Sequence, residues 1–194
     1  MSKYMNRGKS FKGEFKYIES QRKRVILRTA LLFGISLALL AIGIWSAGDK
    51  RNMLTVVAVL GCLPASKSAV NMIIFLRARG CSQKVWEQVQ KHSQGLSQLW
   101  DLVFTSYDKN YQVSHMAVKG NVILGITEDP GCDARGCESH LDTYLKQGGC
   151  RSAVVKIYQD VQKYCEALEN LKKQETDPDG QAEEIVENLI AIAL

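Results

Sequence analysis

The sequence lacks the short motifs that mark common phosphate and zinc chemistry. It contains no glycine-rich phosphate loop and no His-Glu-x-x-His pattern. It also lacks a cleavable signal peptide, because the first apolar run begins only at Thr29, has no small-residue cleavage site and is too long for a signal-peptide core. The first two absences exclude the enzyme classes that these motifs identify. The absence of a signal peptide argues against secretion, so the six cysteines are expected to be reduced thiols.

Charge is absent from one long stretch of the chain. Residues 29–48 contain no charged side chain, and at about 1.5 Å per residue they cover a hydrocarbon core of roughly 30 Å. A second apolar run spans residues 53–76, after a short connection. We therefore predict a transmembrane α-helical hairpin over residues 29–76.

The orientation of this hairpin follows from the distribution of lysine and arginine. Residues 1–28 hold nine Lys/Arg against Glu14 and Glu19, whereas the connection between the spans holds two. The positive-inside rule predicts a multi-pass cell-membrane protein with both termini in the cytoplasm. Residues 80–194 hold eleven Lys/Arg against seventeen Asp/Glu, so this part has a net charge of −6 and nucleic-acid binding is unlikely for it.

The second span contains three residues that are unusual in a membrane helix, namely Pro64, Lys67 and Asn71. Two interpretations remain open. In the first, Lys67 and Asn71 form an intramembrane polar site that faces the first helix or a partner subunit. In the second, the helix is kinked and Lys67 reaches toward the headgroups. Small residues should let the two helices approach closely. They are Gly34, Ser36, Gly61, Ala65 and Ser68.

The basic arm of residues 1–28 carries Phe11, Phe15 and Ile18 at helical spacing. This pattern predicts an interfacial amphipathic helix that binds the anionic inner leaflet of the lipid bilayer. Gly13 interrupts the pattern, and a disordered basic tail is the alternative.

The remainder of the chain has the periodicities of a soluble fold. A helix follows residue 82, and strands are expected at 99–107, 111–118, 122–127 and 153–158, the first three as an antiparallel meander. Helices are expected after the third and fourth strands and again over residues 180–194, the last one amphipathic. The predicted class is α+β: a transmembrane hairpin followed by a small cytosolic αβββαβαα domain over residues 82–175 and the C-terminal helix.

The stretch of residues 113–129 (VSHMAVKGNVILGITED) resembles part of the nuclease-related domain of the restriction-endonuclease-like superfamily. His115 matches the histidine of that domain's Asp-His pair. Ser114 replaces the metal-binding aspartate, and Gly125-Ile126-Thr127 replaces the Glu-x-Lys motif. The resemblance implies an αβββαβ core without the catalytic motif. The whole chain also resembles a bacterial two-transmembrane-helix family with a cytosolic tail, which implies no activity.

Four residues have side chains that zinc accepts, within one short segment. They are Cys132, Cys137, His140 and Cys150. Their spacing is not that of a usual zinc knuckle or ribbon, so we expect unligated loop and core residues, no metal and no cofactor.

The expected function is a noncatalytic, membrane-anchored interaction or regulatory module that binds a protein partner or forms homo-oligomers. The alternative is a metal-dependent nuclease-like enzyme with a divergent site formed by Asp101, Glu87 and His115. A transport role through Lys67 would require oligomers. The apolar residues 190–194 are a candidate docking face, with packing on the chain's own domain as the alternative.

Overall fold

The computed structural model describes residues 12–47, 53–174 and 180–194. Within these residues the fold is mixed α+β, with six helices and a four-stranded sheet. It divides into two compact units, which are described separately below. Ile18–Ala78 forms one unit, which we call the helical pair, and Arg79–Leu194 with the N-terminal stretch up to Tyr17 forms the other, which we call the sheet domain.

The helical pair consists of α1 (Tyr17–Ala47) and α2 (Met53–Arg77). The helices run antiparallel and meet at intervals of seven residues along both. The Arg22 guanidinium donates to the carbonyl oxygens of Phe75 and Ala78, at 3.3 and 2.8 Å. Thr29 contacts Ser68 one heptad further along α1, and this spacing keeps one seam of each helix against the other.

Small residues form most of that seam, as the sequence predicts. Ser36, Ala65 and Ser68 are buried, and a Cβ placed on Gly61 would lie 2.9 Å from the Ser36 hydroxyl. The prediction for Gly34 is wrong, since nothing lies within 4 Å of the position of its missing Cβ. Gly34 lies on the outside of the pair.

Both helices are long and apolar enough to cross a membrane. Only 11% of the most apolar window of the first and 17% of that of the second is buried, whereas the core helix of a soluble protein is mostly buried. Large apolar side chains are exposed along both. They include Leu27, Leu31, Ile35, Leu37 and Ile42 of α1 and Val56, Leu60, Leu63, Val70 and Ile73 of α2.

The sheet domain contains a four-stranded sheet in the order β1-β2-β3-β4. The strands are β1 (Ser97–Thr105), β2 (Asn110–Lys119), β3 (Val122–Ile126) and β4 (Val154–Tyr158). The predicted antiparallel meander of the first three is confirmed, and β4 adds parallel to β3 after a helical crossover.

Helices cover both faces of this sheet. They are α3 (Gln83–His92), α4 (Ala134–Gln147), α5 (Val161–Lys173) and α6 (Gly180–Ile192). One core contains Leu141 of α4 and Leu189 of α6, and the other contains Val89 of α3 and Leu168 of α5. Because both faces are covered, β1 and β2 are buried along most of their length.

Side-chain caps explain where these helices begin and end. The N-caps Ser82, Asp133 and Asp160 each accept from backbone N–H groups of the first turns of α3, α4 and α5. At the other end of α5, the Lys119 ammonium donates to the carbonyls of Leu171, Lys172 and Gln174. A cation at this end satisfies free carbonyls and complements the helix dipole.

The alternation of side chains along β1 and β2 is interrupted at one level of the sheet. Leu99 and Leu102, three residues apart, belong to the same core, and so do Val113 and Met116 on β2. Strict alternation would put residues three apart on opposite faces. Asp101 lies between the leucines with a φ of 54°, a left-handed conformation that aspartate tolerates.

The C-terminal helix packs on its own domain. Ile185 and Leu189 of α6 are fully buried in the core, and Ala193 beyond it forms a bridge with Phe104 of β1. The Leu194 N–H donates to the Val103 carbonyl at 2.9 Å. The apolar residues at the C-terminus are therefore largely used internally, and not as an exposed docking face.

Candidate functional site

The outer edge of β1 holds the N-terminal arm at Trp100. The Trp100 N–H donates to the Gly13 carbonyl at 2.8 Å, and these residues form an isolated antiparallel bridge. The Phe15 ring stacks on Trp86 of α3, with centroids 5.0 Å apart, and meets Trp100 edge-on at 6.0 Å. We refer to Trp86, Trp100 and the adjoining edge of β1 as the edge site, and to residues 12–16 as the strap.

This arrangement corrects the predicted amphipathic helix. Residues 12–16 are not helical; α1 begins only at Tyr17, which is still well before the predicted span at residue 29. Phe15 packs on tryptophan, and Phe11 lies outside the described residues. The spacing of aromatic residues cannot distinguish a lipid surface from a protein surface. The sequence signal against a helix is Gly13, which has a φ of 90° in the structure.

The chain that follows α2 is held on the next residue of β1. The Cys81 N–H donates to Asp101 Oδ1 at 2.6 Å, and the Ser82 N–H donates to Glu128 Oε1 at 3.0 Å. Gly80 lies against the same carboxylate, since a Cβ there would be 3.4 Å from Asp101 Oδ2. Two carboxylates therefore hold the two residues that precede α3, where backbone N–H groups are free to donate.

These carboxylates also affect the Cys81 thiol. Burial raises its pKa well above the ordinary value, and the negative charges of Glu128 and Asp101 raise it further. A thiol in this state is a poor nucleophile, because the reactive species is the thiolate. The geometry thus assigns Cys81 to packing at the start of α3.

Behind Trp100 lies a buried polar pair. His115 of β2 is fully buried, with its Nδ1 2.7 Å from the Tyr164 hydroxyl, which donates to the Leu124 carbonyl at 3.2 Å. The imidazole lies 4.0 Å from the Trp100 ring, centroid to centroid, and its Nε2 has no hydrogen-bond partner within the described part of the chain. Burial lowers the pKa of His115 to about 3, so the ring is neutral at pH 7.

The three residues proposed for a divergent nuclease site do not share an open surface. Asp101 is buried and bonded to the Cys81 amide, and His115 is inaccessible to solvent. Glu87 is exposed on α3, where it accepts a hydrogen bond from Gln83 at 3.1 Å. Asp101 and His115 lie on neighbouring strands, but both are buried away from solvent and from any substrate in this conformation.

The four candidate zinc ligands have separate environments. Cys137 is fully buried, and burial raises its pKa to about 12. His140 packs between Tyr111 and Tyr144, and Cys150 is buried with its sulfur 3.3 Å from the Asn188 amide. Cys132 is half-buried. Within residues 12–47, 53–174 and 180–194, no three His, Cys, Asp or Glu side chains are grouped so as to hold a metal ion.

The polar contact within the helical pair involves residues that the sequence analysis did not single out together. The Thr29 and Ser68 hydroxyls lie 2.8 Å apart, and the Thr29 hydroxyl also donates to the Ser68 carbonyl at 3.2 Å. Lys67 is exposed on the outside of α2 and Asn71 is half-buried. Lys67 therefore does not face α1. Two of the interpretations given above still apply, in which the Lys67 ammonium faces a partner subunit or reaches toward the headgroups.

Comparisons of the chain with family models, curated proteins and solved structures find no significant match.

Proposed function

We propose that this protein is a noncatalytic interaction or regulatory module, anchored in the membrane by α1 and α2 with both termini and the sheet domain in the cytoplasm. The exposed apolar surface of α1 and α2 carries this proposal. Such a surface is unfavourable in water and favourable in a bilayer. The nine Lys/Arg of residues 1–28, ahead of the uncharged part of α1, support the cytoplasmic orientation and an attraction to anionic lipid.

The interior of the sheet domain supports the noncatalytic part of this proposal. His115 and Tyr164 are sealed in the core, and the Asp101 carboxylate holds the backbone before α3. These groups stabilise the fold in this conformation, whereas a catalytic acid or base must reach its substrate.

Two measurements test the anchoring. The full chain should stay with the membrane pellet after carbonate extraction, since only integral proteins resist it. In a background without native cysteines, a membrane-impermeant maleimide applied to intact cells should label the Asp49→Cys variant and leave the Tyr107→Cys variant unlabelled. Release by carbonate, or the reverse labelling pattern, contradicts the proposal.

The alternative is a metal-dependent nuclease-like enzyme, which the αβββαβ order of α3 to β4 favours. It predicts Mg²⁺-dependent cleavage of DNA or RNA by the purified full chain, abolished by Asp101→Asn. Cleavage that persists in Asp101→Asn would point to a contaminating nuclease. Absence of cleavage in the folded wild type with Mg²⁺ or Mn²⁺ would eliminate this alternative.

A further inference from the structure

We propose that the edge site is a docking site for a short segment of a protein partner, and that the strap occupies it as an internal ligand. The segment we expect carries an aromatic residue two positions after a glycine, with basic residues on either side. This inference rests on the proposed function, for which it supplies the interaction surface.

The edge site recognises three separate attributes of the strap. The Trp100 N–H, at the edge of the sheet, donates to the backbone carbonyl of Gly13, a contact of the kind that a bound peptide makes at a sheet edge. The Trp86 ring stacks on the aromatic side chain of Phe15. Position 13 selects glycine, because its φ of 90° is a conformation that L side chains rarely adopt.

The charge of the domain favours basic residues on the bound segment. Lys12 and Lys16 flank the Gly13–Phe15 core of the strap, and the Lys12 ammonium donates to the Ala193 carbonyl at 2.9 Å. Residues 80–194 hold a net charge of −6, which attracts a cationic segment and speeds its encounter with the domain.

The pairing of the strap with β1 is short within the described residues, which favours release. Residues 12–16 form one bridge with β1, whereas β2 pairs with β1 at eight positions. Lys16, the last residue of the strap before α1, has a φ of 65°. This backbone conformation is strained for residues other than glycine, asparagine and aspartate. Release of the strap relieves that strain. The opposite edge of the sheet, at β4, offers no comparable site, because the Glu138 side chain accepts a hydrogen bond from the Ile157 N–H there.

The test uses the full chain in nonionic micelles and a fluorescent peptide with the sequence of residues 9–17 as the probe. Anisotropy should show weak binding to the wild type, because the tethered strap competes at a high effective concentration. Phe15→Ala removes the stacking ring and should bind the peptide at least tenfold more tightly. Peptides with Gly13→Val or Phe15→Ala should fail to bind this variant.

A second variant keeps the proposal falsifiable if Phe15→Ala is poorly folded. Gly13→Val should expel the strap, because a β-branched residue is strained at a φ of 90°, and it leaves Phe15 intact, so it should open the site equally. Protection of the Val113 amide from hydrogen exchange reports whether the core is folded in each variant. Trp86→Ala added to either variant should abolish peptide binding.

The proposal is overturned if folded Phe15→Ala and Gly13→Val variants bind the peptide no better than the wild type does. A separate protein partner is also ruled out if the wild type forms a dimer in micelles and the Phe15→Ala substitution dissociates this dimer. The occupant of the edge site would then be the strap of a second copy of the chain. Micelle experiments do not depend on membrane orientation, so carbonate extraction and peptide binding can fail independently.

Discussion

The buried His115 should make the sheet domain sensitive to mild acid. Its pKa in the folded protein is lowered by burial from 6.5 to about 3. Between these values the unfolded chain binds a proton that the folded chain excludes, so stability is complete above pH 6.5 and falls as the pH drops toward 3. Each pKa unit corresponds to about 1.4 kcal/mol, so this residue should cost about 2 kcal/mol of stability between pH 7 and pH 5.

The perturbation that tests this is His115→Phe, which keeps a ring in the core and removes the titrating group. Tyr164 retains its hydrogen bond to the Leu124 carbonyl in this variant. Urea unfolding of the full chain in nonionic micelles, followed by tryptophan fluorescence at pH 7, 6 and 5, gives the free energy of unfolding at each pH. Trp100 lies beside His115 and should report the transition.

Between pH 7 and pH 5, His115→Phe should lose about 2 kcal/mol less stability than the wild type does. Equal losses in the wild type and His115→Phe would refute the assignment of a neutral, sealed imidazole.

Three further predictions follow from single contacts. Asp101→Ala should destabilise the sheet domain by about 2 kcal/mol in urea, because the buried Cys81 amide loses a charged acceptor, while Asp101→Asn, which keeps an oxygen, should cost less. An Asn variant as unstable as the Ala variant would contradict that reason. Thr29→Val should weaken the helical pair by about 1 kcal/mol in SDS titration, through loss of the hydroxyl contact with Ser68, and an unchanged midpoint would show that packing alone holds it. Cys137 should resist maleimide at pH 7 until urea is added, since burial raises its pKa to about 12; rapid labelling of the folded protein would contradict this.

The element order of the sheet domain could be predicted from local pattern. Turn residues at 108–110 and 119–121 bound the first three strands, and helical periodicity marks α4 and α5. Boundaries were less accurate, as β1 spans Ser97–Thr105 and not residues 99–107. The small-residue seam of the helical pair was also predictable, because close helix approach needs small side chains whatever the surroundings.

Features that depend on distant parts of the chain could not be predicted in this way. His115 and Tyr164 are separated by 49 positions, so no spacing links them. The interrupted alternation at Asp101 depends on one left-handed residue within a strand. Phe15 matched a membrane-surface pattern because an apolar ring suits a lipid surface and a tryptophan surface equally well.

The strap and the buried histidine meet at Trp100, and this connection yields a last prediction. The Trp100 ring contacts both Phe15, with centroids 6.0 Å apart, and His115, with centroids 4.0 Å apart. Removal of Phe15 should expose part of that ring and ease the access of water to His115. Hydration stabilises the imidazolium, so the pKa of His115 should rise toward its ordinary value in Phe15→Ala.

The sign of the effect on stability then separates coupling from simple loss of packing. Phe15→Ala should be less stable than the wild type at pH 7, because an aromatic contact is lost. Its further loss between pH 7 and pH 5 should be smaller than that of the wild type, because the difference between folded and unfolded pKa values has narrowed. In the background of His115→Phe, the Phe15→Ala substitution should leave the pH dependence unchanged. If Phe15→Ala instead loses as much stability as the wild type over this interval, the tryptophan alone seals the histidine, and the strap can leave the edge site without admitting water to the core.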